Sequence, residues 1–134
     1  MDTGKSALGL DGNIAAALGY PIGIIAIICL IMEKENRFVK FHALQSILLS
    51  VSFVVVWIAL VLLTFILGMV GIAASAASDA GGAVGGLLSM VLGLVWFVVL
   101  IAFIIGIILA AVRAYQGTLF KLPIIGGMAD KWIK

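Results

Sequence analysis

At 134 residues, 65% of them apolar and 10% charged, with a mean hydropathy of +1.37, the chain carries too little polar surface for a water-soluble domain, in which about 45–50% of residues are apolar and about 25% charged. A net charge of +2 is too small a footprint for a nucleic-acid partner. One cysteine, Cys29, excludes an internal disulfide, and with one histidine it excludes a four-ligand Cys/His zinc site within the chain.

Residues 1–12 read as a short polar tail. With Lys5 set against two aspartates, they do not resemble a cleaved signal. From Ile14 to Met32 there is no Asp, Glu, Lys or Arg. About 20 apolar residues cross a bilayer core as a helix, and within the core every backbone group needs an internal partner. A first span over about 13–33 is therefore expected, capped by Asn13 and kinked near Gly19–Pro21, where Pro21 lacks an N–H. Cys29 is expected to fill space inside that helix.

The polar stretch EKENRFVKFH at 33–42 reads as a turn into a second span, about 40–70. The charge-free run from Ala43 to Ser78 is longer than one crossing. A helix over it would reach about 54 Å, so it must tilt, project or break. Residues 68–86 are almost all Gly, Ala and Ser and are expected to form a hairpin with its tip near Ser78–Gly86. Asp79 and the glycines argue against a fourth span there. A third span follows over about 85–113. Residues 115–134 are amphipathic: Phe120, Leu122, Ile124, Ile125, Met128 and Trp132 can enter headgroups while Lys121, Lys131 and Lys134 stay wet.

The fold class is thus all-α: a polytopic membrane helical bundle of three transmembrane helices, with residues 13–114 as the spanning part and 115–134 as an amphipathic tail. Lys34, Arg37 and Lys40 lie in the first loop, and Arg113, Lys121, Lys131 and Lys134 after the third span. Three crossings put these seven on one side, and by the positive-inside rule that side is cytoplasmic. The expected site is the cytoplasmic membrane, with the N-terminus and Lys5 outside and the C-terminus inside.

Small residues recur every four positions: Ala15, Gly19 and Gly23; Ala73, Ala77, Gly81 and Gly85; Ala102, Gly106 and Ala110. Such faces let helices approach closely in lipid, either within the chain or between copies. Gly19, Gly23, Ala102, Gly106 and Ala110 are the candidate packing positions.

The candidate polar cluster is Glu33, Asn36, Arg37, Phe38, His42, Gln45, Arg113 and Tyr115, with Glu35, Ser46 and Gln116 nearby. Phe38, His42 and Gln45 share a helix face. Three readings stand: an interfacial anchor, a structural hydrogen-bond network around His42, and a binding or gating site. No H-E-x-x-H, G-x-S-x-G or phosphate loop occurs, so no catalytic residues, cofactor or metal are expected. No acidic residue lies at mid-membrane, where an ion path would place one.

The stretches EKENRFVKFHALQSIL and AYQGTLFKLPIIG resemble the Tic-twenty-like group of small prokaryotic membrane proteins, related to a channel-forming subunit of the chloroplast inner-envelope translocon. By that resemblance Glu33, Asn36, Arg37, Phe38, His42, Gln45, Tyr115, Gly117, Leu122, Pro123 and Gly126 are motif positions, and a lean toward protein translocation is implied. The expected function is a small non-enzymatic subunit of a membrane assembly, and the alternative is a homo-oligomeric channel or carrier for a small solute. The expected partners are the lipid bilayer and either further copies of the chain or larger membrane proteins.

Overall fold

A computed structural model describes residues 3–133; Lys134, one of the basic residues of the tail, lies outside them. Five helices follow in order: α1 Gly12–Leu18, α2 Gly23–Met32, α3 Arg37–Ala77, α4 Asp79–Tyr115 and α5 Ile125–Trp132. They divide into two compact units. One runs up to Ser52 and resumes at Ile104; the other is Phe53–Phe103.

In the first unit the apolar run 13–33 does not form one helix. Gly19, Pro21 and Gly23 fall within five positions, and the helix stops instead of bending. Gly19 N–H and Ile22 N–H still find helical carbonyls behind them, Ala15 O at 3.2 Å and Leu18 O at 3.1 Å. Pro21 then interrupts the ladder, and α2 begins anew at Gly23. The two short helices fold back on each other: a methyl group on Gly19 would stand 3.4 Å from the Cβ of Ala26. Asn13 is no cap. Asp11 holds the N-cap position of α1 without a side-chain hydrogen bond, and Asn13 Nδ2 donates to Tyr115 O at 2.9 Å.

The two ends of this segment meet. Asn36 Nδ2 donates to Thr3 O at 2.7 Å and to Lys5 O at 3.2 Å. Ala7 N–H donates to Glu33 Oε2 at 2.8 Å. A spanning helix over 13–33 would hold these groups about 30 Å apart, so the expected first span is corrected to a helical hairpin. With it goes the helix that was to carry the N-terminus across from the first loop. Hydropathy counts apolar residues and cannot tell one spanning arm from two half-length arms.

Asn36 also caps α3, its Oδ1 accepting Val39 N–H at 3.2 Å. The buried faces of this unit form two small cores. Ala15, Ala26, Cys29, Val39 and Ala43 make one, so Cys29 is filler as expected. Phe41, Leu44, Ala129 and Ile133 make the other, which docks α5 on the start of α3.

The second unit is an antiparallel helical hairpin. Phe53 faces Phe103 with ring centroids 5.0 Å apart, and Trp57 faces Trp96 at 6.4 Å. Trp96 Nε1–H donates to Thr64 Oγ1 at 2.9 Å. The Gly/Ala/Ser stretch over 68–86, expected as a hairpin with its tip near Ser78–Gly86, is helical on both sides of Ser78, whose Oγ accepts Gly81 N–H at 3.0 Å and so caps α4. The small residues form the seam. A Cβ on Gly85 would lie 3.3 Å from Gly71 O, and one on Gly81 would enter the carbonyl of Ala74.

Among the described residues, α3 and α4 are long and apolar enough to cross a membrane, and only 6% of the most apolar stretch of each is buried. That exposure is incompatible with the core helices of a soluble protein and fits contact with lipid. The chain is all-α, a helical membrane protein.

Candidate functional site

The polar residues at the start of α3 sort into three groups. The first is a buried knot. His42 and Gln45 are fully buried, Ser46 is 2% exposed and Tyr20 is 5% exposed. Tyr20 comes from the break between α1 and α2, and its hydroxyl lies 3.0 Å from His42 Nδ1. His42 Nε2 lies 3.1 Å from Thr118 O. A carbonyl only accepts, so Nε2 carries the proton and donates, and a neutral ring then accepts at Nδ1 from the Tyr20 hydroxyl. Gln45 Nε2 donates to the Tyr20 oxygen at 2.7 Å and to Phe120 O at 3.1 Å. Gln45 Oε1 accepts Leu122 N–H at 3.1 Å. Ser46 Oγ–H donates to Gly19 O at 2.7 Å. The rings of Phe38 and Phe41 stand edge-on to His42, centroids 4.6 and 5.2 Å away.

This arrangement joins three parts of the chain that hydrophobic patterning leaves unrelated: the α1–α2 break, the first turns of α3, and the connector 116–124. The connector cannot be helical. Gly117 sits at φ 72° and Ile124 at φ 65°, the latter costly for a β-branched residue. Gln45 takes the place of a missing backbone partner, bonding Phe120 O and Leu122 N–H as a neighbouring strand would. Gly126 completes the fit, since a Cβ there would stand 2.7 Å from Gln45 Oε1 and 2.6 Å from Lys121 Cα.

The second group is the turn before α3. Glu33 is 6% exposed, and its carboxylate accepts from Ala7 N–H and, at 3.1 Å, from Asn36 N–H. The third is an exposed ion cluster. Asp130 takes Lys121 Nζ at 2.8 Å and Arg37 Nη2 at 3.4 Å. The hydrogen bond from Lys121, aided by both positive charges, holds the Asp130 carboxyl below its ordinary value.

The eight expected cluster residues therefore do not form one pocket. Phe38, His42 and Gln45 meet; Glu33 and Asn36 tie down the N-terminal segment; Arg37 turns outward to Asp130. Arg113 stacks over the Phe120 ring, its guanidinium carbon 5.9 Å from the centroid, while its carbonyl accepts from the backbone N–H and the hydroxyl of Thr118. Tyr115 is 62% exposed and contributes its carbonyl to Asn13. Glu35 is exposed. Of the packing positions, Gly19 and the fully buried Ala110 are closely packed. At Gly23 and Gly106 an added methyl would meet no atom within 4 Å, and Ala102 is exposed.

Sequence reasoning missed Tyr20 and Asp130. A hydroxyl-bearing ring beside Pro21 inside an apolar run was the available signal for Tyr20. For Asp130 there was none: Lys121 reaches it across the non-helical connector, and Arg37 lies 93 residues away in the chain.

Comparison with known proteins gives consistent matches along nearly the whole length. The model of the magnetosome magnetite crystal formation protein family, MamF/MmsF, matches residues 7–129. A UPF0132 membrane protein of Methanocaldococcus jannaschii is 38% identical over 130 residues, covering 96% of this chain and 94% of that one. A UPF0132 membrane protein of Archaeoglobus fulgidus is 35% identical over 122 residues, covering 90% and 94%. No solved structure matches. These matches overturn the Tic-twenty-like resemblance. Both stretches that carried it fall within residues 7–129, and their residues are those that build the knot and its connector. The lean toward protein translocation rested on that resemblance and falls with it.

Proposed function

The chain belongs to the magnetosome magnetite crystal formation protein family, MamF/MmsF, and from that membership we propose that it is a small, non-enzymatic structural subunit of a membrane assembly in the cytoplasmic membrane. One observation carries this reading: among the described residues every buried side-chain nitrogen or oxygen has a hydrogen-bond partner. A knot so saturated stabilises a shape and leaves no poised group to bind or turn over a substrate. The family's name concerns an iron mineral. Among the described residues no three His, Cys, Asp or Glu side chains gather, and the role proposed here is played through the membrane and protein partners.

The open faces of α3 and α4 supply the surface for assembly. At Gly106 an added methyl would meet no atom of the chain within 4 Å, which leaves room there for a partner helix to approach. A channel has less support. The polar side chains of residues 53–103 are Thr64, Ser75, Ser78, Asp79 and Ser89. Thr64 accepts from Trp96, and Ser75 and Ser89 donate to carbonyls of their own helices, Gly71 O and Gly85 O. Little is left to line an aqueous path.

Among the described residues, the basic side chains Lys5, Lys34, Arg37, Lys40, Arg113, Lys121 and Lys131 all belong to the first unit. That distribution supports placing this unit at the cytoplasmic face. The test is purification in a mild detergent followed by native mass measurement. A species larger than one chain, made of copies or of further membrane proteins, is expected. A lone monomer at every detergent-to-protein ratio overturns the proposal.

A further inference from the structure

We propose that residues 3–33 form a re-entrant hairpin seated in a single leaflet, with the outer isoleucine face of α2 against the acyl chains of that leaflet and residues 3–5 on the same side of the membrane as the 33–36 turn and α5. The occupant of this face is lipid, and three observations on the first unit say so.

The first is where the hairpin starts and ends. Thr3 and Lys5 are bonded to Asn36, Ala7 to Glu33, and Asn13 to the carbonyl at the end of α4. Both arms are pinned beside the basic residues, which must stay with water and phosphate.

The second is depth. The break touches α3 through Ser46, whose hydroxyl reaches Gly19 O, and through Gln45 and His42, which reach Tyr20. Ser46 lies about 14 Å along α3 from Arg37, at 1.5 Å per residue. That is about half of a 30 Å hydrocarbon core. Residue 22 is thus the turning point of the segment and not its midpoint in a crossing.

The third is how the break survives in lipid. Non-helical backbone at membrane depth persists only where its polar groups are satisfied by protein. Gly19 N–H, Tyr20 N–H and Ile22 N–H each have a carbonyl partner, Pro21 has no N–H to satisfy, and Gly19 O takes the Ser46 hydroxyl. Outside, α2 shows Ile24 at 65%, Ile27 at 49% and Ile31 at 74% exposure. Such a face is disfavoured in water and matched by acyl chains.

The experiment uses the full chain in sealed vesicles of both orientations. In a Cys29→Ser background, single cysteines are placed by Lys5→Cys, Glu35→Cys, Lys131→Cys and Ser78→Cys and treated with a membrane-impermeant maleimide. Lys5→Cys, Glu35→Cys and Lys131→Cys should label together from one side, and Ser78→Cys from the other. Labelling of Lys5→Cys from the side opposite Glu35→Cys means that 13–33 crosses, and the proposal is lost. A second variant guards against misfolding of the first set: Thr3→Cys with Asn36→Cys, also in Cys29→Ser, should form a disulfide on oxidation in intact membranes. Failure to form it, with both thiols still open to a permeant maleimide, overturns the proposal independently. Neither readout depends on whether the protein assembles, so the subunit role and the hairpin stand or fall separately.

Discussion

The Tyr20 hydroxyl donates a hydrogen bond to His42 Nδ1 across 3.0 Å while its oxygen accepts one from Gln45 Nε2–H. Each atom has one role, fixed from the far end by the carbonyl of Thr118, which can only accept. The knot is a directional chain of hydrogen bonds, in which the two protons of Gln45 Nε2 go to the Tyr20 oxygen and to Phe120 O.

Tyr20→Phe should cost about 1–3 kcal/mol, because it leaves a buried imidazole nitrogen and an amide proton without a partner. Combining it with His42→Ala should cost less than the two single losses added, since both break the same network. Thermal unfolding of the detergent-solubilised single and double variants measures this. Additive losses would show that Tyr20 and His42 act independently.

Gly126→Ala should undock α5, because its Cβ would press on the Lys121 backbone and on Gln45 Oε1. A penalty of about 1–3 kcal/mol is expected from overpacking. Gly127→Ala next to it meets nothing within 4 Å and should be neutral or mildly stabilising. Trp132 emission, with Trp57 and Trp96 replaced by Phe, reports on the docking; identical spectra for the two variants would contradict the fit.

Gly81→Ala should loosen the hairpin tip, where the added methyl would stand 2.6 Å from the Ala74 carbonyl carbon. Gly86→Ala has open space and should stabilise by up to about 1 kcal/mol, the ordinary gain of replacing helical glycine. Helix content followed against temperature separates the pair.

Arg37→Lys should change stability by no more than about 0.5 kcal/mol. Its contact with Asp130 is single, 3.4 Å long and exposed, and such pairs contribute little. Lysine retains the charge near phosphate. A loss comparable to that of Tyr20→Phe would mean that Arg37 has a partner of its own in the membrane.

Asp130 fixes the sign of a pH effect. Its carboxyl is held below the ordinary value of 3.8, first by the Lys121 hydrogen bond. Its contribution to α5 docking is therefore complete above that ordinary value and fades as pH falls through the depressed one. The Trp132 signal should be flat from pH 8 to about pH 5 and move only in stronger acid. Asp130→Asn should abolish that acid response. A response centred near neutrality would contradict this assignment.

The charge-free runs and their lengths determined that the protein is helical and embedded in lipid, because both follow from counting apolar residues against the thickness of a bilayer. The same counting placed Phe38, His42 and Gln45 on one face of α3, since helical spacing is local. It did not decide what Gly19, Pro21 and Gly23 do. Whether such a break bends a helix or folds it back depends on whether the freed carbonyls find partners, and the partner of Gly19 O is Ser46, on another helix. Nor did it decide that small residues over 68–86 would be helical. The small residues serve the close approach of the two helices, where a Cβ on Gly85 would stand 3.3 Å from Gly71 O. The partners of His42 and Gln45 lie across 20 to 80 residues of chain, a separation at which spacing carries no information, and only the tertiary fold brought Tyr20, Thr118, Phe120 and Leu122 to them.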